Sequence, residues 1–147
     1  MKNRIFALWI AGLAAVPVAV AAQDETPASD LFKLELNAAA ETGNGNCRLT
    51  YVAENNSGTA LDRTEYEVAI FDGEGVVTRL LVLKFGALID GKTRVLQFEL
   101  PGAACSDISR IVINDSSACI DAETGNEADV CMSALSASSR TAIQFGI

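Results

Sequence analysis

Four cysteines are the residues of this chain best placed to do chemistry. An even number of cysteines is typical of disulfide bonds in exported proteins. The alternative is a zinc site with four thiolate ligands, but such ligands come in pairs two to four residues apart, and here the closest two are twelve apart. The spacing also lacks the Cys-x-x-Cys of a redox-active pair. We therefore predict two disulfide bonds. The cysteines are Cys47, Cys105, Cys119 and Cys131.

A run of alternating acids between the last two cysteines is the second candidate. Calcium binds carboxylates clustered on a flexible loop. However, the helix–loop–helix calcium signature needs glycine at loop position six and glutamate at twelve, where this run has Gly125 at five and Met132 at twelve. We expect a solvated acidic loop with no metal and no other cofactor, and keep a calcium or small-ligand site as the alternative. The acids are Asp121, Glu123, Glu127 and Asp129.

Residues suited to catalysis are scarce. The sequence has no histidine, which excludes Ser-His-Asp triads, Cys-His dyads and histidine-ligated metals. Glu65 and Glu67 would share one face of a strand, whereas glycosidases usually draw their two acids from separate elements. We expect no enzymatic activity, and a carboxylate-dependent hydrolase is the less favoured alternative. Eleven basic residues against nineteen acidic ones give a net charge of -8, so we expect no nucleic-acid partner.

Residues 1–22 have the order of a secretory signal peptide. Lys2 and Arg4 precede an apolar run over 5–20, and small alanines then precede polar residues. The run is about 16 residues long, shorter than the roughly 20 that cross a bilayer. We expect cleavage after Ala21 or Ala22, with 23–30 as a flexible leader and no stable membrane insertion afterwards. The protein would then be periplasmic or secreted. An uncleaved N-terminal anchor is the alternative.

The elements that must position these residues are predicted as strands. Apolar and polar residues alternate with a period of two, and Gly, Asn, Asp and Pro supply turns between the runs. Seven such segments within 31–147 predict an all-β, immunoglobulin-like antiparallel sandwich. The run Val76–Phe85 is apolar at consecutive positions, which predicts either a strand covered on both sides or two pieces with a kink. The predicted strands lie in 32–37, 47–54, 65–71, 76–85, 95–100, 108–114 and 141–145.

The order of these strands bears on the pairing of the cysteines. Cys47 opens one predicted strand, and Cys105 follows the end of a strand expected to lie antiparallel to it. Antiparallel neighbours place the start of one strand beside the end of the other, which favours the pairs 47–105 and 119–131. The other two pairings stay open. The second bond would staple a long loop over 118–139 before the last strand, with a short helix over Ala128–Leu135.

A local pattern resembles known domains. The segments Tyr51–Gly58 and Tyr66–Asp72, followed by Gly75, are similar to the second and third strands of immunoglobulin-like or fibronectin-type-III-like modules of bacterial envelope proteins. The whole chain resembles small periplasmic proteins of alphaproteobacteria with a signal peptide, four cysteines and one such domain. The cysteines depart from the antibody pattern, because the single tryptophan, Trp9, lies in the signal peptide.

The resemblance implies a sandwich fold and supplies no catalytic residues. We therefore expect a non-catalytic binding or structural module of the cell envelope, with another envelope protein as its partner. Sandwich domains usually bind through loops, so the expected contact surfaces are the Asn55–Arg63 loop, the Asp72–Gly75 hairpin and the 119–139 loop. The oligomeric state does not follow from the sequence.

Overall fold

Alternating apolar and polar residues build eight strands, which a computed structural model describes within residues 31–147. The signal peptide and leader predicted for 1–22 and 23–30 lie outside the described residues. Sheet A has the strand order β5-β2-β1-β7, and sheet B has the order β4-β3-β6-β8. The strands are β1 Phe32–Glu41, β2 Cys47–Asn55, β3 Leu61–Phe71, β4 Val77–Leu88, β5 Lys92–Leu100, β6 Arg110–Asp121, β7 Leu135–Ser139 and β8 Gln144–Gly146.

The predicted all-β sandwich is confirmed. Strands one, two and five share sheet A, and strands three, four and six share sheet B. These six pair only in the antiparallel sense with one another. Two further pairings are parallel, β1 with β7 and β6 with β8. The sheets therefore hold one strand more than predicted and are not wholly antiparallel.

The segment predicted as a stapled loop over 118–139 is largely structured. β6 continues to Asp121, a short helix α1 covers Val130–Ser133, and β7 follows at Leu135. The predicted helix is confirmed but is shorter than expected. β7 escaped prediction because it is made of small residues, and its strand form comes from pairing with Phe32–Leu36 of β1.

The core lies between the sheets and is centred on Tyr51. Its ring contacts those of Phe85, Phe98 and Phe145 edge to face, with centroids 5.1–5.8 Å apart. Tyr66, from the opposite sheet, meets Phe85 in the same way at 5.8 Å. Such aromatic pairs contribute about 0.5–1.5 kcal/mol each beyond the burial of their area. The aromatic cluster therefore joins the inner faces of both sheets.

Both predicted disulfide bonds are present, Cys47–Cys105 and Cys119–Cys131. β2 pairs with β5 so that Cys47 lies opposite Leu100, which brings Cys105 within reach as the strand order predicted. By chain entropy each bond contributes about 3–4 kcal/mol, more for the pair separated by 58 residues. Two disulfides indicate an oxidising, extracytoplasmic environment.

Candidate interaction surface on strand β4

β4 is an edge strand with one covered face and one open face. Within residues 31–147 it pairs with β3 alone. Its inner side chains, Leu83 and Phe85, are buried in the core, whereas Leu80 and Val82 on the outer face are 61% and 40% exposed. The prediction of a strand covered on both sides is therefore wrong, because only the inner face is covered. The alternative of two pieces is also wrong, since β4 is continuous from Val77 to Leu88.

The outer face of β4 continues into an apolar row across sheet B. Leu80 lies opposite Ala69 of β3, and Ala69 lies opposite Val112 of β6. Side chains directly opposite one another on neighbouring strands are in contact distance. We call this region the apolar outer surface. It consists of Val77, Leu80 and Val82 of β4 with Ala69, Phe71 and Val112 beside them.

Exposed apolar side chains of the described chain are concentrated on one side of the sandwich. Five of the eight large ones lie on β4 or the turns next to it, Val95 lies on the outer face of sheet A, and the other two are Leu31 and Ile147. Single exposed apolar residues are ordinary on protein surfaces, but a contiguous group marks a contact site. The five are Val76, Val77, Leu80, Val82 and Ile89.

Two arginines tie the edge strands β4 and β5 together. Arg94 of β5 donates from Nη1 to the carbonyls of Phe85 and Ala87 at 2.9 and 2.7 Å. Arg79 of β4 donates from Nη1 to the carbonyl of Pro101 at 3.1 Å. The Arg94 bonds occupy backbone carbonyls at the end of the β4 edge, and the Arg79 bond connects the start of β4 to the chain after β5. The stretch between them, Leu80–Lys84, has no such cover among the described residues.

A shallow depression adjoins the covered end of β4. It has a volume of about 400 Å³ and lies where the chain turns from β4 into β5. Its walls combine apolar groups with two cations, and Ile89 at its rim is exposed. The depression extends the exposed apolar side of the sandwich beyond the open stretch. Its lining residues are Ala87, Leu88, Ile89, Lys92, Thr93 and Arg94.

The same side of the molecule carries an unusual share of positive charge. Of the nine basic residues within 31–147, four fall in 77–100, against only two of the sixteen acidic ones. One of those two acids, Glu99, is 3.9 Å from Arg48 and so faces a cation on sheet A. The segment is therefore a basic region of an otherwise acidic protein. The four basic residues are Arg79, Lys84, Lys92 and Arg94.

The predicted contact loop Asn55–Arg63 is shorter than expected, because β3 already begins at Leu61. Asn55 itself is buried, and its Nδ2 donates to the carbonyls of Thr59 and Leu88 at 2.8 and 2.9 Å. Its Oδ1 accepts the backbone N–H of Ser57 at 3.1 Å. These bonds use the side chain of Asn55 to shape the turn and to hold it against the end of β4.

The hairpin at Asp72–Gly75 is confirmed, and its carboxylate also serves the turn. Asp72 Oδ1 accepts the backbone N–H groups of Glu74 and Val76 at 3.1 and 2.8 Å. Gly75 adopts φ +80°, a conformation that residues with a side chain rarely adopt. The hairpin therefore turns its best hydrogen-bonding group towards its own backbone.

The acidic run forms a second tight turn, after β6. Asp121 Oδ1 accepts the backbone N–H groups of Glu123 and Thr124, each at 2.8 Å. These N–H groups of Thr124 and Glu123 hold the pKa of Asp121 below its usual value. Glu127 lies opposite Ile120 in a β-bridge, which separates it from Asp121 across the turn.

The four acids do not converge on one point. Within 31–147 no three Asp, Glu, Cys or His residues are grouped so that they could hold a metal ion. A depression of about 190 Å³ lies beside Cys119–Cys131, and only Glu127 and Asp129 of the four acids line it. The predicted acidic contact loop is thus split between a turn, a helix and a strand.

Glu65 and Glu67 lie on the outer face of β3, as the alternation predicts. Glu65 is opposite Lys84, and Glu67 is opposite Val82. Glu67 accepts a hydrogen bond from the side-chain amide of Asn114 on β6. The two acids therefore flank the apolar outer surface on an open sheet face, with no cleft between them.

Sequence reasoning missed β4 as a surface. The signal was present in the consecutive apolar residues Leu80–Leu83, which place an apolar side chain on both faces of any strand. Such a run is typical of a strand buried between two layers. The sequence does not show that this strand would lie at an edge, with its outer face open.

No helix among residues 31–147 has the length and apolar character needed to cross a bilayer. The chain matches no family model, and no curated protein or solved structure matches it.

Proposed function

We propose that this protein is exported and acts as a non-catalytic β-sandwich that binds another protein of the cell envelope through the open side of β4. One observation carries the proposal, namely that five of the eight exposed large apolar side chains lie on β4 or the turns next to it. The predicted contact loops lend less support, because the polar groups of Asn55, Asp72 and Asp121 are engaged with their own turns.

The energetics favour a polypeptide contact at this site. Fully burying a leucine or valine contributes about 1.5–3 kcal/mol, and covering the 40–61% of Val77, Leu80 and Val82 that is still exposed contributes a corresponding part of that energy. Val77, Leu80 and Val82 are neighbours on β4, so one partner can cover all three together. Edge strands that bind nothing usually carry charges or prolines, or are covered by another segment, and these features prevent pairing with other strands. Leu80–Lys84 contains no proline and a single charge.

Export rests on two independent features. The first is the basic, apolar and small-residue order of residues 1–22. The second is the pair of disulfides, which form and persist outside the reducing cytosol. Mass spectrometry of the protein released from expressing cells should give an N-terminus at Ala22 or Gln23. A cytosolic protein that still begins at Met1 would contradict export.

Photo-crosslinking in living cells tests the binding site. A photoreactive residue replaces Val82 on the outer face of sheet B, and a matched one replaces Gln97, which is exposed on β5 of sheet A. We expect position 82 to give a discrete crosslinked product with an envelope protein and position 97 to give none. Equal labelling from both positions, or from neither, would count against the proposal.

A further inference from the structure

We propose that β4 binds its partner by strand addition, with an extended acidic polypeptide segment pairing along Leu80–Lys84 as a fifth strand of sheet B. The inference rests on the proposed function and names the chemistry of its partner. Every second side chain of the segment would be apolar and would lie on the same face as Leu80 and Val82. The side chains between them would point to the other face, and the segment would carry carboxylates. Strand addition derives its affinity from main-chain hydrogen bonds and its specificity from alternate side chains.

The backbone of β4 is arranged for this pairing. In the hairpin before β4, Asp72 donates its N–H to the carbonyl of Val76, and the hydroxyl of Thr78 reaches the carbonyl of Ile70 at 3.3 Å. Ile70 therefore directs its backbone groups towards β4, and so do Val68 and Tyr66, because alternate residues of a strand point to the same side. Their partners are Arg79, Leu81 and Leu83.

It follows that the intervening residues of β4 direct their backbone groups to the open edge. These are Leu80, Val82 and Lys84, and within 31–147 no strand accepts or donates there. An unpaired row of N–H and C=O groups is a template for another strand. None of the three is proline, so each offers both a donor and an acceptor.

The length of the template is set by irregularities at both ends. Arg79–Lys84 pairs residue for residue with Glu65–Ile70, and the register shifts on either side of this stretch. Bulges twist an edge and end its regular pairing. Beyond the second shift, Arg94 already occupies the carbonyls of Phe85 and Ala87. An added strand would therefore pair over about five or six residues, a common strand length.

The side chains along the template specify the partner. Leu80 and Val82 project from the same face as Ala69 and Val112. Apolar side chains on that face of an added strand would therefore extend the apolar outer surface by the width of one strand. Arg79 and Lys84 border the stretch, and the nearest acids, Glu65 and Glu67, lie on β3, one strand further from an added segment than these cations. Complementary charge therefore favours a segment with carboxylates near its ends.

The same charges disfavour a second copy at this edge. An isologous pair of β4 strands would bring two copies of Arg79 and Lys84 together without any acid from β4 to balance them. Each protein also carries an excess of acidic residues elsewhere, which adds repulsion between copies. An acidic segment of a different protein avoids the first cost, because its carboxylates would face Arg79 and Lys84.

A synthetic peptide tests strand addition directly. The probe is a capped peptide of about ten residues that alternates Val with Glu or Thr. Two matched peptides carry N-methyl groups on every second residue. The first is methylated at the odd-numbered residues and the second at the even-numbered residues. Only one set of N–H groups can face β4. Fluorescence anisotropy with the disulfide-bonded exported protein should therefore show at least about ten-fold weaker binding for one methylated peptide only. Equal binding of all three peptides, or no binding of the parent peptide, would overturn the proposal.

Substitutions in β4 provide the matched protein test. Val82→Pro removes the outward N–H at the centre of the template, and an edge strand tolerates proline where its N–H faces solvent. Val82→Thr keeps the N–H and the branched shape. We expect Val82→Pro to weaken the peptide by about ten-fold and Val82→Thr by about three-fold or less. Equal effects of the two would overturn pairing through the backbone.

Amide exchange in the unsubstituted protein gives the same answer if Val82→Pro does not fold. Adding the parent peptide should slow exchange at Leu80, Val82 and Lys84, while the amides of the exposed residues Asp90 and Ala142 keep their rates. Exchange that does not change at the three β4 amides would overturn the proposal.

Other occupants of the edge would give different results. Protection of the β4 amides that rises with protein concentration would assign the edge to a second copy, and protection lost on removing 23–30 would assign it to the chain's own acidic segment. Binding to phosphatidylglycerol vesicles that protects the same amides would assign it to a membrane. Each of these results overturns strand addition by a partner. Crosslinking from position 82 without an N-methyl effect would leave the proposed function intact and remove only strand addition.

Discussion

The two sheets turn similar faces inward and very different faces outward. On sheet A, Val95, Val52 and Glu35 form one cross-strand row, and neighbouring positions are paired by charge and hydrogen bonds. Arg140 Nε lies 2.8 Å from Glu35 Oε1, and Gln97 donates to Thr50 Oγ1 at 3.1 Å. On sheet B the matching row is Leu80, Ala69 and Val112, with no polar side chain.

This difference distinguishes the surfaces that stabilise the fold from the surface that we propose binds a partner. The inner faces of both sheets bury the aromatic cluster and account for the packing of the sandwich. The outer face of sheet A resembles an ordinary solvated surface, since exposed ion pairs contribute only about 0–1 kcal/mol. The outer face at β4 buries little within the described chain. The partner proposed above would account for its apolar character.

The largest contrast is expected between two leucines of β4. Leu83 is 3% exposed and Leu80 is 61% exposed. We expect Leu83→Ala to lower the free energy of unfolding by about 2–5 kcal/mol, because it leaves a cavity, and Leu80→Ala to change it by about 0.5 kcal/mol or less. Urea denaturation measures both. A comparable loss for Leu80→Ala would show that the outer face contributes to folding and would break the comparison.

The next effect concerns the arginine that covers the end of the β4 edge. Arg94→Met removes donors to two backbone carbonyls, whereas Lys92→Met, on the same strand, removes a charge with no such bonds. We expect a loss of about 1–2 kcal/mol for Arg94→Met and about 0.5 kcal/mol or less for Lys92→Met. Thermal unfolding compares the two. Similar effects would mean that the Arg94 bonds contribute little.

The two buried tyrosines sharpen the comparison on the inner faces. Tyr66 of sheet B donates to the carbonyl of Cys131 at 2.7 Å, whereas the hydroxyl of Tyr51 in sheet A has no hydrogen-bond partner among the described atoms. Burial raises the pKa of both hydroxyls, so both stay protonated. We expect Tyr66→Phe to cost about 1 kcal/mol and Tyr51→Phe to be neutral or stabilising, as chemical denaturation would show. The reverse order would contradict this account.

The smallest effect is expected on the outer face of sheet A. The side chains of Asn37 and Arg140 lower the pKa of Glu35 below its usual value of 4.5. A lowered pKa in the folded state stabilises the protein above the unfolded value, and this contribution is lost as the pH falls below 4.5 towards the folded value. Glu35→Gln should therefore give a slightly flatter decline of stability below pH 4.5, and Arg140→Met should do the same. Unchanged pH profiles for both variants would show that the Arg140–Glu35 ion pair does not contribute to stability.

Local pattern was enough to predict most of the sandwich. The alternation in 47–54 and 65–71 identified strands of both sheets, and Asp72–Gly75 identified the hairpin between β3 and β4. Cys47 and Cys105 could be paired because strand direction alone brings them together. These features depend on the period of a strand and on turn residues, both of which are local.

The remaining features depend on contacts between distant segments. Leu135–Ser139 has no strand signal of its own and becomes β7 only beside β1. The edge position of β4 depends on where every other strand of sheet B lies, so Leu80 and Val82 could not be recognised as exposed. The loops were expected to bind because of their polar residues, yet Asn55 and Asp121 use those groups to close their own turns.

The passage of the chain from β7 in one sheet to β8 in the other has a practical consequence. Both strands lie at the sandwich edges opposite β5 and β4, and the exposed Ala142 lies in the short connection between them. β4 and β8 are three strand spacings apart, about 14 Å. A tether inserted at Ala142 would attach the protein to a sensor chip at the β7 and β8 edges. The β4 and β5 edges would then face the solution, where binding can be measured.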